Sequence, residues 1–162
     1  MKAINKIIIS AILSGALIFS NISANAAATQ ADVDYSTQVS QTVQTFSTDA
    51  ADWAAVVGSA PTLAAGSKFK EYKVKASKSS DKFLATIKKL KSLKASPGFS
   101  KSGPMLVSAM GLYEKAITAL KAAINKNDAK AIGKAGQVAV KANSAFLAWQ
   151  KSYSTDVAAL NG

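Results

Sequence analysis

Apolar residues along this chain return at alternating intervals of four and three. Val39, Val43, Phe46, Ala50, Trp53 and Val57 keep that spacing, which places them on one stripe of an α-helix. Leu106, Met110, Tyr113, Ile117, Leu120 and Ile124 form another stripe. Ile132, Ala135, Ala139, Ala142, Phe146, Trp149 and Tyr153 form a third, prolonged by Val157 and Leu160. A further stripe runs through Phe69, Tyr72, Ala76, Phe83, Ile87 and Leu90. Here the stretch EYKVKAS, residues 71–77, also alternates as a strand does, and Ser77, Ser79 and Ser80 are indifferent helix formers. Helix is the expectation because no other segment offers a strand partner. On the strand-like alternative the helix begins only at Ser80.

Breaks between the stripes agree with separate helices. Gly58 to Pro61 interrupts the chain after the first, and SPGFSKSGP, residues 96–104, after the second, with Pro104 suited to a first helical turn. Asn127 and Asp128 cap the last helix after a very short connection. The sequence therefore predicts helices at about 31–57, 62–94, 103–125 and 127–160. Short connections force neighbours to run in opposite directions, so the expected architecture is all-α, an antiparallel up-down-up-down four-helix bundle. Gly111, Gly133 and Gly136 fall inside helices, where each costs up to about 1 kcal/mol relative to Ala, and close helix approach is expected to offset that cost.

The N-terminus reads differently. Lys2 and Lys6 precede an apolar run from Ile7 to Phe19, then the small-residue pattern Ala24-Asn25-Ala26, which is the layout of a secretory signal peptide over residues 1–26. The run is shorter than the roughly 18 to 20 residues a membrane-spanning helix needs. The expected mature chain, 27–162, is one helical-bundle domain and a monomer, secreted or periplasmic. It has no Cys, so a core of side chains has to hold it without disulfides.

Charge is distributed unevenly. The net charge is +11 and every basic residue is Lys. Between Lys68 and Lys101 stand eleven Lys opposed only by Glu71 and Asp81, whereas residues 31–57 contain Asp32, Asp34, Asp49 and Asp52 and no Lys. An acidic first helix beside a basic second one helps fix their pairing. Lys68, Lys75, Lys82 and Lys89 each precede a seam position by one residue and form a row, with Lys78 beside it. A solvated face that keeps the protein soluble explains the surplus. So does diffuse binding of polyanions such as anionic envelope polymers or lipid headgroups through Lys68, Lys75, Lys78, Lys82 and Lys89. Lys is a flexible point charge, and the absence of Arg speaks against sequence-specific nucleic-acid recognition.

Catalysis has little to work with. There is no His and no Cys, which removes Ser-His triads, thiol nucleophiles and nearly every zinc, copper or haem ligand set. Ser79-Ser80-Asp81-Lys82 matches S-x-x-K, and Lys101-Ser102-Gly103 resembles the K-[ST]-G element of penicillin-interacting enzymes. The S-x-N element between them is missing, and such enzymes need a much larger mixed domain. Asp49 and Asp52 beside Trp53 superficially suggest glycosidase carboxylates, but are more simply read as partners for Lys on the next helix. Asp32-Val33-Asp34 lacks the Gly and terminal Glu of a calcium loop. No catalytic residue, metal or cofactor is expected, and the chain reads as a non-enzyme. The alternative function is a carrier that holds a small apolar ligand inside the bundle, with Trp53, Asn143, Trp149 and Tyr153 as the interior pocket.

Overall fold

A computed structural model describes residues 28–61 and 65–162. The expected signal peptide and residues 62–64 of the expected second helix lie outside them. Among the described residues there are four helices, α1 Gln30–Gly58, α2 Gly66–Ser92, α3 Ser102–Lys126 and α4 Ala129–Asn161, and one 3-10 turn at Pro97–Phe99. The described residues contain no strand.

Local chemistry accounts for each boundary. Thr29 and Asp32 close a reciprocal capping box at the start of α1, the Thr29 amide donating to Asp32 at 2.9 Å, which satisfies amides the helix leaves orphaned. Between α3 and α4, Asn127 takes a left-handed conformation at φ 54°, and the Asp128 amide returns to the Ala123 carbonyl at 2.9 Å. Asp128 then caps α4 by accepting from the Ala131 amide at 2.9 Å. The ambiguous stretch is helical throughout: Tyr72 and Ala76 are buried while Val74, which a strand would place with them, is 55% exposed.

Every apolar residue named in the four stripes is buried, and together they make one core. α3 and α4 approach most extensively, because Ala109, Ala116 and Ala123 on one and Ala135, Gly136, Ala139 and Ala142 on the other are small and buried. Rings fill the space between α1 and α4: Phe46 lies 5.2 Å from Phe146 between centroids, and Phe146 lies 4.9 Å from Trp149. Contacts between α1 and α2 fall in order. Val57 meets Tyr72, Trp53 meets Ser80 and Asp49 meets Thr86.

Glycine departs from expectation at two positions. A Cβ added at Gly111 or Gly133 meets nothing within 4 Å, so close helix approach does not offset their cost. Gly103 is the opposite case, its space taken by the Ala95 side chain.

Candidate functional site

The basic flank of α2 follows from helical spacing. The buried positions of α2, from Phe69 through Phe83 and Ile87 to Leu90, fix one face against the core and leave Lys68, Lys75, Lys78, Lys82 and Lys89 exposed. The five do not share one electrostatic state. Lys82 reaches Asp49 at 2.8 Å and Asp52 at 3.2 Å, and its pKa is raised, first by the hydrogen bond to Asp49 and then by Asp52. Asp49 is buried and also accepts from the Thr86 hydroxyl at 2.6 Å. Lys82 therefore works as a tie between α1 and α2. Among the described residues, Lys68, Lys75, Lys78 and Lys89 have no carboxylate within ion-pair distance.

Two more ties join α2 to α3. Lys91 reaches Glu114 at 2.8 Å and Lys121 reaches Asp81 at 2.5 Å; the Lys91 hydrogen bond holds Glu114 below the usual carboxylate range. Lys73 leans over the Phe69 ring at 5.3 Å. Lys68, Lys75, Lys78 and Lys89 thus form an unpaired row on the flank that faces α1, and among the described residues Lys70 and Lys88 elsewhere on α2 are likewise without an ion pair.

Beside that flank lies an open groove of about 660 Å³, walled by Gln41, Gln44, Thr45 and Thr48 of α1 and by Lys82, Ala85 and Thr86 of α2, with Asp49 also lining it. All its lining residues but Ala85 carry a polar side chain, and none is aromatic.

The interior candidates are placed otherwise. Trp53 and Trp149 have no exposed surface; Trp53 donates its indole N–H to Ser80 Oγ at 3.0 Å, and Ser80 donates to the Ala76 carbonyl at 2.7 Å. The Ser80 hydroxyl is thereby committed to structure. Tyr153 shares a 2.7 Å hydrogen bond with Ser36, and half-buried Asn143 accepts from Tyr113 at 3.4 Å. A cavity of about 20 Å³ sits elsewhere, among Val57, Phe69, Tyr72, Leu120, Ile124 and Ile132, and is lined by none of the four.

A buried polar end of the bundle escapes the sequence pattern. Asp32 accepts from the Thr29 amide and hydroxyl, from Ser96 Oγ at 2.7 Å and from the Gly98 amide at 2.9 Å. These donors, Thr29 first and Ser96 next, hold its carboxyl down to about 2. Asp156, also buried, accepts from the Ser102 amide at 3.1 Å. Tyr35 is pushed up to about 12 by burial, with Tyr153 and Asp156 adding to it. Thr29-x-x-Asp32 was readable as a capping box; the reach of Asp156 to Ser102 leaves no local signature. Among the described residues no group of acidic side chains could hold a metal ion.

Comparison with known proteins finds no matching family model, no similar curated protein and no similar solved structure.

Proposed function

We propose that this chain is an exported, non-enzymatic helical bundle that acts at the cell envelope or extracellular surface and binds anionic polymers diffusely through Lys68, Lys75, Lys78 and Lys89. One observation carries the reading: these four, exposed and without a carboxylate partner, line up along the one flank of α2 that faces α1. Ammonium groups with no internal partner can replace the cations condensed on a polyanion, and release of those cations favours binding. Export rests on the signal peptide over 1–26, leaving one domain, 27–162, that is a monomer and is secreted or periplasmic. Among the described residues no helix is long and apolar enough to cross a membrane. The ordered contacts between α1 and α2 support an antiparallel up-down-up-down course. For the carrier reading, an interior cavity of about 20 Å³ offers room for about one water and gives no support.

The test compares the mature protein with a variant carrying Lys→Gln at 68, 75, 78 and 89. Lys82 is spared because it partners buried Asp49. Binding to poly(glycerol phosphate) and to anionic lipid vesicles is measured across a salt series. The parent should bind the polymer at low salt with affinity falling steeply as salt rises, and the variant should bind more weakly with a flatter dependence. A parent that binds no polymer at low salt overturns the reading, as does a variant that binds equally well. Binding to vesicles alone would replace the polymer with a lipid surface.

A further inference from the structure

Val74 is 55% exposed and marks the outermost line of α2, opposite buried Ala76, Phe83 and Ile87. At about 3.6 residues per turn, Ser67, Ala85 and Ser92 fall within about 20° of that line, and all three are exposed. Lys70 and Lys88 fall about 40° to one side of it, and Lys78 and Lys89 about 40° and 60° to the other. From Lys70 to Lys89 the helix rises about 28 Å. These four ammonium groups are exposed, and among the described residues none has a carboxylate within ion-pair distance. Two acidic residues share the face. Asp81, on the Lys70 side, is tied to Lys121 at 2.5 Å, and Glu71 stands exposed on the Lys78 side. The outer face of α2 therefore has two basic shoulders and, between them, a centre of small and apolar side chains.

We infer that this face docks on an anionic lipid surface, with Lys70 and Lys88 on one shoulder, Lys78 and Lys89 on the other, and Val74 among the headgroups between them. This goes beyond the polymer reading, which gives no role to Lys70, Val74 or Lys88. A linear polyanion follows one shoulder and leaves the other in water. A plane laid along the outermost line of α2 meets both at once, because α1 and α3 flank the helix on either side. Anionic headgroups attract each Lys near the surface. The lysine stems and Val74 then lie against the apolar boundary while the ammonium groups stay among the headgroups.

The double variant Lys70→Gln with Lys88→Gln tests the shoulder that a polymer does not need, and circular dichroism checks its fold. Binding at low salt is measured to vesicles of phosphatidylglycerol and phosphatidylcholine and, separately, to poly(glycerol phosphate). The variant should bind the vesicles about 25-fold more weakly than the parent, about fivefold per lysine, and lose far less for the polymer. The chain has no Cys, so Val74→Cys accepts a single environment-sensitive fluorescent label. Its emission should shift to the blue on the anionic vesicles and stay unchanged with phosphatidylcholine alone. A label at Ser144→Cys, exposed on α4, should stay in water throughout. Equal losses for vesicles and polymer, no loss for vesicles, or a label at Val74→Cys that stays in water overturns the inference. So does a parent that binds no vesicles; the polymer reading is decided separately, by binding to poly(glycerol phosphate).

Discussion

Asp32→Asn removes one charge from the buried end of the bundle at almost no change in shape. The carboxylate takes four donors, and it lies in the first turn of α1, where the helix dipole also favours a negative group. A carboxyl held at about 2 instead of 3.8 stabilises the folded state by about 2 to 2.5 kcal/mol at 1.36 kcal/mol per pH unit. Asp32 is 2% exposed but lies at the end of the bundle, where nearby solvent screens part of this, so that figure is an upper bound. An amide presents one acceptor oxygen and turns its NH₂ toward donors, so the substitution should cost about 2 to 3 kcal/mol near pH 7. The sign follows from the lowered value. The stabilisation is complete above the unfolded carboxyl's value of about 3.8 and is lost as pH falls toward about 2. Urea melts followed by far-ultraviolet circular dichroism at several pH values give the difference between parent and variant. It should be widest near neutrality and shrink from about pH 5 downward as the parent's carboxyl gains its proton. A difference that stays constant with pH would refute the charge-based account, and no difference near neutrality would refute the clamp itself.

Gly111→Ala and Gly133→Ala should each raise stability by about 0.5 to 1 kcal/mol, since the added methyl meets open space and the unfolded chain loses freedom; a lowered urea midpoint would contradict this. Tyr35, raised from 10.0 to about 12, contributes stability that is full below about 10 and is lost as pH rises toward about 12. Tyr72, Tyr113 and Tyr153 are also raised by burial, so unfolding and tyrosinate absorbance should rise together in that alkaline range. Tyrosinate appearing near its ordinary value with the helices intact would refute the burial.

Helical periodicity carried most of the fold because a stripe of apolar residues has one stable use, against another stripe. Every stripe position from Val39 to Leu160 is buried, and Val74 shows that the three-and-four spacing prevailed over the two-residue alternation around it. The first turn of α2 was less legible: the helix begins at Gly66, whose φ is 78°. Periodicity failed at residues whose burial depends on distant partners. Phe99, inside the expected break, is fully buried and lies 4.9 Å from Tyr35 and 5.0 Å from Tyr153. Asp32, Asp49 and Asp156 look like surface carboxylates in one dimension and are buried in three, because amides, hydroxyls or Lys82 meet them. At the candidate site the lysine flank was legible, but the distinction between Lys82 and its neighbours was not, since it depends on how Asp49 and Asp52 fall across from it.

Asp156 accepts the amide of Ser102, a residue made 54 positions earlier, and Tyr153 supplies the ring that stacks on Phe99 and the hydroxyl that meets Ser36. A ribosome that has finished α1, α2 and α3 has therefore produced a chain whose third helix still starts uncapped and whose Phe99 lacks its stacking partner. Closure waits for the second half of α4. Nascent chains released before residue 153 should remain open to protease, and resistance should appear abruptly once residues 153 to 160 have been added.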